Sequence, residues 1–151
     1  MVTANGVPRG AVVLGALGLV PFVGLTAVAA VADVSLRATA ITVIVAYGAV
    51  ILSFLGGIQW GLVVRHDAAD GPNAGLLWIS VTPSLAGWLA LLHPSPTVGA
   101  AMLAVCFAAV LVVDVWLSRR GHAPVWYPRL RMPLTIVVAT CLVVAALATR
   151  L

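Results

Sequence analysis

Few residues of this sequence carry groups that do chemistry, and the most informative of them lie within long apolar runs. Asp114 is the one acid inside such a run, and Gln59 is the only glutamine of the chain. An unpaired polar group in hydrocarbon is costly, so both side chains should face other helices or water. Asp114 precedes Arg119 and Arg120 by little more than one helical turn, so we expect it to lie near the cytoplasmic interface and to pair with an Arg there. A proton-relay role would require Asp114 to face a water-filled interior.

A second group of polar and aromatic residues lies in the same runs. Gln59 is predicted to form an interhelical hydrogen bond, and a ligand-facing role together with Trp60 is the alternative. Pro83 frees the carbonyl of residue 79 and predicts a kink, and neighbouring hydroxyls commonly satisfy such a carbonyl. The candidate intramembrane or ligand-facing residues are Tyr47, Ser53, Gln59, Trp60, Ser84, Trp88 and Asp114.

The usual catalytic and metal-binding patterns do not occur in the sequence. It contains no nucleophile motif, no glycine pattern for dinucleotides and no zinc-protease helix pattern. The chain has no Lys, which excludes Schiff-base chemistry. His66, Asp67, Asp70 and His122 are predicted to share one side of the membrane, but their spacing matches no compact ligand motif. The sequence therefore predicts no catalytic residue, no metal site and no cofactor.

The composition indicates which class of protein positions these residues. Of 151 residues, 63% are hydrophobic and 8% are charged, whereas a soluble domain carries about 25% charged residues. A domain of this size buries only about 70% of its unfolded-chain surface, so the apolar excess cannot be hidden in a core. A soluble enzyme and a nucleic-acid module are excluded, and the lipid bilayer is the predicted partner.

Charged residues divide the chain into five apolar segments, each long enough to cross a bilayer as a helix of about 20 residues. The predicted spans are residues 10–32, 38–64, 74–92, 97–117 and 132–148. They predict an all-α, polytopic five-helix bundle that forms one domain over residues 1–151. The first span also resembles a secretory signal, but its apolar stretch is longer than a signal core, and we expect it to be retained.

The distribution of Arg predicts the orientation. Six of the eight Arg fall on the side shared by the N-terminus and the second and fourth loops. The positive-inside rule therefore predicts a cytoplasmic N-terminus and a periplasmic or extracellular C-terminus, in the cytoplasmic (inner) membrane. The fourth loop is predicted to anchor at the lipid interface, with docking of an anionic lipid or a partner as the alternative. Its interfacial residues are Arg119, Arg120, Trp126, Tyr127, Arg129 and Arg131.

Small residues recur at every fourth position of the second span. Ala49, Ser53, Gly57 and Gly61 form one continuous stripe, which would let another helix backbone approach closely. The stripe predicts a helix-packing face, and a substrate groove is the alternative.

Four motifs resemble a known family. They are residues 14–22 (LGALGLVPF), 47–61 (YGAVILSFLGGIQWG), 83–88 (PSLAGW) and 126–131 (WYPRLR). Together they are similar to the bacterial membrane-protein family of unknown function that is related to mitochondrial transmembrane protein 69. The resemblance implies a five-helix inner-membrane protein and supplies no substrate, cofactor or catalytic residue.

Three functional hypotheses follow from these observations. The first is a structural or accessory component of a larger membrane assembly, with a membrane-protein partner or a second copy of the chain. The second is a small transporter or hydrophobic-ligand binder, with a cavity between spans one to three that contains Gln59, Ser84 and Tyr47. The third is a membrane enzyme that acts on lipid or quinone through Asp114, His66 or His122.

Overall fold

The structure is a computed structural model that describes residues 6–65 and 74–148, and in these ranges every regular element is a helix. All five helices are long and apolar enough to cross a membrane, which confirms the predicted span count. The helices are α1 (Arg9–Val31), α2 (Val34–Val64), α3 (Ala74–Leu92), α4 (Pro96–Arg119) and α5 (Tyr127–Leu147).

Two helices, α2 and α5, begin four or five residues earlier than the apolar segments predicted. The α2 helix starts at Val34 because the Asp33 side chain caps it, accepting a hydrogen bond from the Leu36 backbone N–H at 3.0 Å. The α5 helix starts at Tyr127 and has a proline in its first turn, where the missing N–H costs nothing. Arg129 and Arg131 therefore belong to α5, whereas the span predicted from hydropathy began after them, at residue 132.

The α2 helix contacts all four other helices. The α3, α4, α5 and α1 helices follow one another around it, each packed against the next. Only Phe22 and Ala29 of α1 are buried, so most of the α1 surface is left for lipid. The ends of α2 and α4, with Arg65 and Arg119, and the start of α5 lie at one end of the bundle, which we call the arginine-rich end.

Arg37 closes the opposite end of the bundle. Its guanidinium donates to the carbonyl of Ala148, after α5, at 3.1 Å and to that of Ala32, after α1, at 3.3 Å. The last carbonyls of a helix have no partner within the helix and carry partial negative charge. Arg37 therefore joins the start of α2 to the ends of α1 and α5.

The connection between α4 and α5 is a compact helix cap. Gly121 has a φ of +79°, a conformation that glycine adopts without steric cost. The Gly121 N–H donates to the Ser118 carbonyl and the His122 N–H to the Leu117 carbonyl, both at 3.0 Å, which is the Schellman pattern. This turn sends the chain back over the arginine-rich end, where Ala123 and Tyr127 pack against α2, α3 and α4.

Close packing of α2 depends on glycines other than those of the predicted stripe. A Cβ on Gly56 would lie 2.5 Å from the Ser80 carbonyl oxygen of α3, and one on Gly48 would lie 2.9 Å from Leu103 of α4. In contrast, Gly57 and Gly61 are exposed, with nothing within 4 Å of such a Cβ. The predicted stripe is thus wrong for Gly57 and Gly61 as a packing face within this chain, because α2 turns these two glycines outward.

Ala49 is the member of the stripe that does pack closely. A Cβ on Gly87 of α3 would lie 3.2 Å from the Ala49 backbone. Ser53 is half-buried and donates its hydroxyl to the Ala49 carbonyl at 2.9 Å within the same helix. The contact between α2 and α3 therefore uses Ala49, the first residue of the stripe, and then continues through Gly56.

Candidate functional site

The central polar feature is a buried cluster that joins three helices, and we call it the Asp114 cluster. Asp114 of α4 is 0% exposed. One carboxylate oxygen accepts from Gln59 Nε2 of α2 at 2.9 Å, and the other accepts from Arg131 Nε of α5 at 2.9 Å. Charge-assisted hydrogen bonds of this length are the strong ones. The cluster is therefore an electrostatic tie between α2, α4 and α5 near the arginine-rich end.

The Asp114 cluster confirms two predictions made from the sequence. Gln59 forms the predicted interhelical hydrogen bond. Asp114 pairs with an Arg, as expected, and its partner is Arg131, whereas Arg119 and Arg120 are exposed. The choice of Arg131 has a geometric reason, because Arg119 and Arg120 lie at the end of α4, whereas α5 brings Arg131 to the depth of Asp114.

Four polar atoms in and beside the Asp114 cluster have no hydrogen-bond partner. They are Gln59 Oε1, Tyr127 Oη, Arg131 Nη2 and Thr135 Oγ1, and all four are shielded from solvent. Buried polar groups in proteins nearly always find a partner, because an unsatisfied one costs about 1–3 kcal/mol. Such a concentration of unsatisfied atoms at one place marks a functional candidate.

A cavity of about 400 Å³ opens beside the cluster, between α1, α2 and α5, with Phe107 of α4 at its floor. We call it the α1–α5 groove. Apolar side chains and glycines form most of its wall, including Gly15, Gly18, Phe54, Ile58, Leu130 and Leu134. Tyr127 and Arg131 line it as well. The volume lies within the range of about 300–1,000 Å³ that is typical of small-molecule sites.

The α1–α5 groove opens on the outer face of the bundle. Leu14 and Phe54, which line it, are 71% and 64% exposed. In a membrane, that face is covered by lipid chains. A hydrophobic molecule can therefore enter the groove sideways from the bilayer, without crossing a polar surface.

Several candidate residues do not contribute to the groove or to the Asp114 cluster. Trp60 and Trp88 are exposed on the outside of the bundle, so a ligand site that joins Gln59 to Trp60 is not formed. Ser84 is half-buried on α3, away from the groove wall. The Tyr47 hydroxyl donates to the Gly18 carbonyl of α1 at 3.1 Å. The groove thus differs from the predicted cavity, since α5 and not α3 forms its third wall.

The carbonyl that Pro83 leaves free has a neighbouring hydroxyl as its partner, as expected. The Thr82 hydroxyl donates to the Ile79 carbonyl at 2.7 Å, and this is the carbonyl that Pro83 leaves free. Ser80 donates to the Leu77 carbonyl at 2.7 Å. Both hydroxyls therefore form hydrogen bonds with backbone carbonyls of their own helix, α3.

The predicted interfacial residues separate into two groups. Arg119, Arg120 and Arg129 are exposed, and the Arg120 guanidinium lies 4.3 Å from the centre of the Trp116 ring. Tyr127 and Arg131, in contrast, are only 7% and 6% exposed. The interfacial assignment is therefore corrected for these two residues, because α5 turns them inward. Trp126 is half-buried and packs edge-on against Tyr127.

In the described ranges, no group of three His, Cys, Asp or Glu side chains comes together to hold a metal ion. Three residues considered earlier lie outside the described residues: His66, which the enzyme hypothesis uses, and Asp67 and Asp70, which were considered with it as metal ligands. Asp114 has both oxygens engaged and no exposure, so the structure gives it no water-filled interior for a proton relay. The geometry favours binding over acid–base chemistry.

The five apolar helices and the buried charge cluster define a polytopic membrane protein with a hydrophobic groove. Over residues 7–147 the chain matches the family described as "Protein of unknown function (DUF3429)", and it belongs to this family. It is 36% identical over 136 residues to Transmembrane protein 69 of Xenopus tropicalis, covering 90% of this chain and 53% of the relative.

It is also 30% identical over 137 residues to Transmembrane protein 69 of Mus musculus, covering 91% of this chain and 55% of the relative. The chain thus spans about half the length of the curated relatives it matches. The relation to transmembrane protein 69 that the motifs indicated is confirmed. A comparison with solved structures found no match.

Sequence reasoning missed the burial of Arg131, although the signal was present. Tyr127, Arg131, Thr135, Val138 and Leu142 follow the spacing of one helix face, and all are buried. Arg129 falls outside this pattern and is exposed. Extending the helical pattern back through the arginines would have placed Arg131 among the helices, opposite the only intramembrane acid.

Proposed function

We propose that this protein binds a lipid-like molecule with a long apolar chain in the α1–α5 groove. The observation that carries the proposal is the groove itself, an apolar cavity of about 400 Å³ that opens toward lipid and reaches the Asp114 cluster. An apolar chain would fill this space against a wall that consists mostly of apolar side chains and glycines. The cluster would hold α2, α4 and α5 in place, so that the wall of the groove is preformed.

The N-terminus would lie in the cytoplasm and the C-terminus outside the cytoplasmic membrane. The Arg residues at the arginine-rich end support this orientation, because positive charge is retained on the cytoplasmic side. Tyr127 and Arg131 would then lie at the cytoplasmic end of the groove. A ligand's polar head would face that side, with its chain extending toward the middle of the bilayer.

Filling the groove tests the proposal. Gly18 lines the groove and has nothing within 4 Å of a Cβ, so Gly18→Leu should place its side chain in the space that a ligand chain would take. Gly24→Leu is the matched control, because Gly24 lies on the same helix, is equally free of neighbours and does not line the groove.

The measurement is photo-labelling of the purified chain with a diazirine-bearing octadecane, followed by peptide mapping. We expect labelling of groove residues in the unsubstituted protein and in Gly24→Leu, and at least about a tenfold loss in Gly18→Leu, because a leucine is worth about 1.5–3 kcal/mol of buried contact. Equal labelling of the two variants would contradict the proposal.

An accessory role in a larger assembly is the second candidate. The exposed Gly57 and Gly61 of α2 favour it, since small residues on an outer face let a helix of a partner or of a second copy approach closely. Native mass spectrometry in mild detergent discriminates between the candidates. A monodisperse monomer that retains lipid supports the ligand-binding protein, whereas a complex that dissociates in Gly57→Leu supports assembly.

A further inference from the structure

An open cavity of about 330 Å³ lies on the outer face of α4, and we call it the α4 furrow. Four apolar or aromatic side chains and one cation line it, namely Leu111, Val112, Val115, Trp116 and Arg119. All five belong to α4, and positions three or four residues apart share one side of a helix. The α4 furrow and the α1–α5 groove have no lining residue in common.

The α4 furrow changes from apolar to cationic along its length. From Leu111 to Arg119 it extends about 12 Å along the helix axis, and Arg119 lies in the last turn of α4, at the arginine-rich end. Trp116 precedes Arg119 by three residues, and tryptophan is enriched where hydrocarbon meets the lipid head groups. The furrow therefore offers an apolar wall at the depth of lipid chains and a cation at the depth of lipid heads.

The charges around the furrow identify the kind of head group that fits. Arg119 is exposed, and so is Arg120, whose guanidinium lies 4.3 Å from the centre of the Trp116 ring. Such a cation–π contact holds a second positive charge beside the furrow. Among the described residues the acids are Asp33, at the opposite end of the bundle, and Asp114, which is buried and already paired. The exposed charge at this site is therefore complementary to an anion.

We propose that the α4 furrow binds an anionic phospholipid, with an acyl chain along Leu111 and Val115 and the phosphate at the Arg119 guanidinium. A guanidinium forms charge-assisted hydrogen bonds with phosphate oxygens. Arg120 adds attraction through its charge, for which no direct contact is required. The site is separate from the proposed ligand groove, so each proposal can fail without the other.

Photo-labelling of the full chain in phosphatidylcholine vesicles tests the proposal. A trace of phosphatidylglycerol or of phosphatidylcholine is added, and both probes carry the same diazirine-bearing acyl chain, so that they differ only in the head. Labelled peptides are mapped, and the yield within residues 111–119 is compared between the probes. We expect the yield to be at least about fivefold higher with phosphatidylglycerol, the attraction typical of one arginine at an anionic lipid surface.

Three variants locate the contact. Arg119→Gln should lower the preference for phosphatidylglycerol by about fivefold and leave the yield with phosphatidylcholine unchanged, because the apolar wall is intact. Arg119→Lys keeps the charge and should retain most of the preference. Arg65→Gln is the matched control, since Arg65 is exposed at the same end of the bundle and does not line the furrow.

Three results would overturn the proposal. Equal yields with the two probes would mean that unselected bilayer lipid covers α4. Equal losses in Arg119→Gln and Arg65→Gln would assign the attraction to the general charge of the arginine-rich end. Removal of the preference by inorganic phosphate, but not by chloride at the same ionic strength, would assign a free anion to the site. We expect the two salts to act alike, because free phosphate gains nothing from the apolar wall.

Discussion

Asp114 accepts hydrogen bonds at both carboxylate oxygens while it is fully removed from lipid and water. Burying the two charges is costly, and their attraction offsets that cost only when both partners are present. Removing Arg131 would leave the carboxylate with Gln59 alone. At the residue scale, the stability of the bundle therefore depends on the pair as a unit.

Arg131→Gln should lower the free energy of unfolding by about 3–5 kcal/mol, because it leaves a buried charge unpaired. Denaturant titration in mixed micelles measures the loss. Arg119→Gln is the matched control at an exposed arginine of α4, and we expect it to change stability by no more than about 0.5 kcal/mol.

The double variant Asp114→Asn with Arg131→Gln should be more stable than Arg131→Gln alone, since neither charge then remains unpaired. A double variant no more stable than the single one would show that the lost packing of Arg131, and not its charge, sets the cost.

The polar site was only partly predictable from residue types. The sequence singles out Asp114 and Gln59, because each is a costly polar group within an apolar run. It does not separate Arg131 from Arg119, since both lie at the edge of a span and differ only in the direction they point. That direction is set by how α5 packs against α4, which is a tertiary property.

At the scale of the elements, two adjacent glycines of α2 have opposite roles. Gly56 faces α3 so closely that a Cβ would meet the Ser80 carbonyl, whereas Gly57 faces outward. Hydropathy located the five helices of the described residues, and the hydroxyl partner of the carbonyl that Pro83 frees was also predictable. The face that α2 presents to α3 was displaced from the predicted stripe, because Gly56 offers a second small-residue position beside it and local sequence does not choose between the two.

Gly56→Ala should reduce stability by about 1–3 kcal/mol, because the Ser80 carbonyl belongs to a helix backbone and can move only if α3 moves. Gly57→Ala should stay within about 0.5 kcal/mol of the unsubstituted protein. The free energy of unfolding of the two variants is compared under identical conditions. Equal losses would mean that α2 is rotated relative to the packing described above.

At the scale of the whole molecule, the two ends of the bundle differ in what their arginines do. Arg65, Arg119 and Arg129 are exposed at the arginine-rich end. At the other end, Arg37 is bound to the carbonyls of Ala32 and Ala148. This difference supports the proposed orientation, because Arg37 has a structural role and its position need not reflect the positive-inside rule.

Exposed prolines in two connections provide a matched test of orientation. Pro94 precedes α4 at one end, and Pro124 precedes α5 at the other. We expect a membrane-impermeant maleimide to label Pro94→Cys in intact cells and to label Pro124→Cys only after permeabilisation. The unsubstituted protein supplies the background from Cys106 and Cys141, and the reverse labelling pattern would invert the orientation.

The contacts of α5 with α1 and with Arg37 form only after the last helix has been synthesised. During synthesis the helices emerge from α1 to α5, so α2, α3 and α4 can pack together while the last wall of the groove is still missing. Until α5 arrives, Asp114 has no Arg131, and the carbonyl of Ala148 has not yet reached Arg37. Under the proposed function, a nascent chain that ends before α5 would lack one wall of the groove and could not bind a ligand, so binding would begin with the last helix.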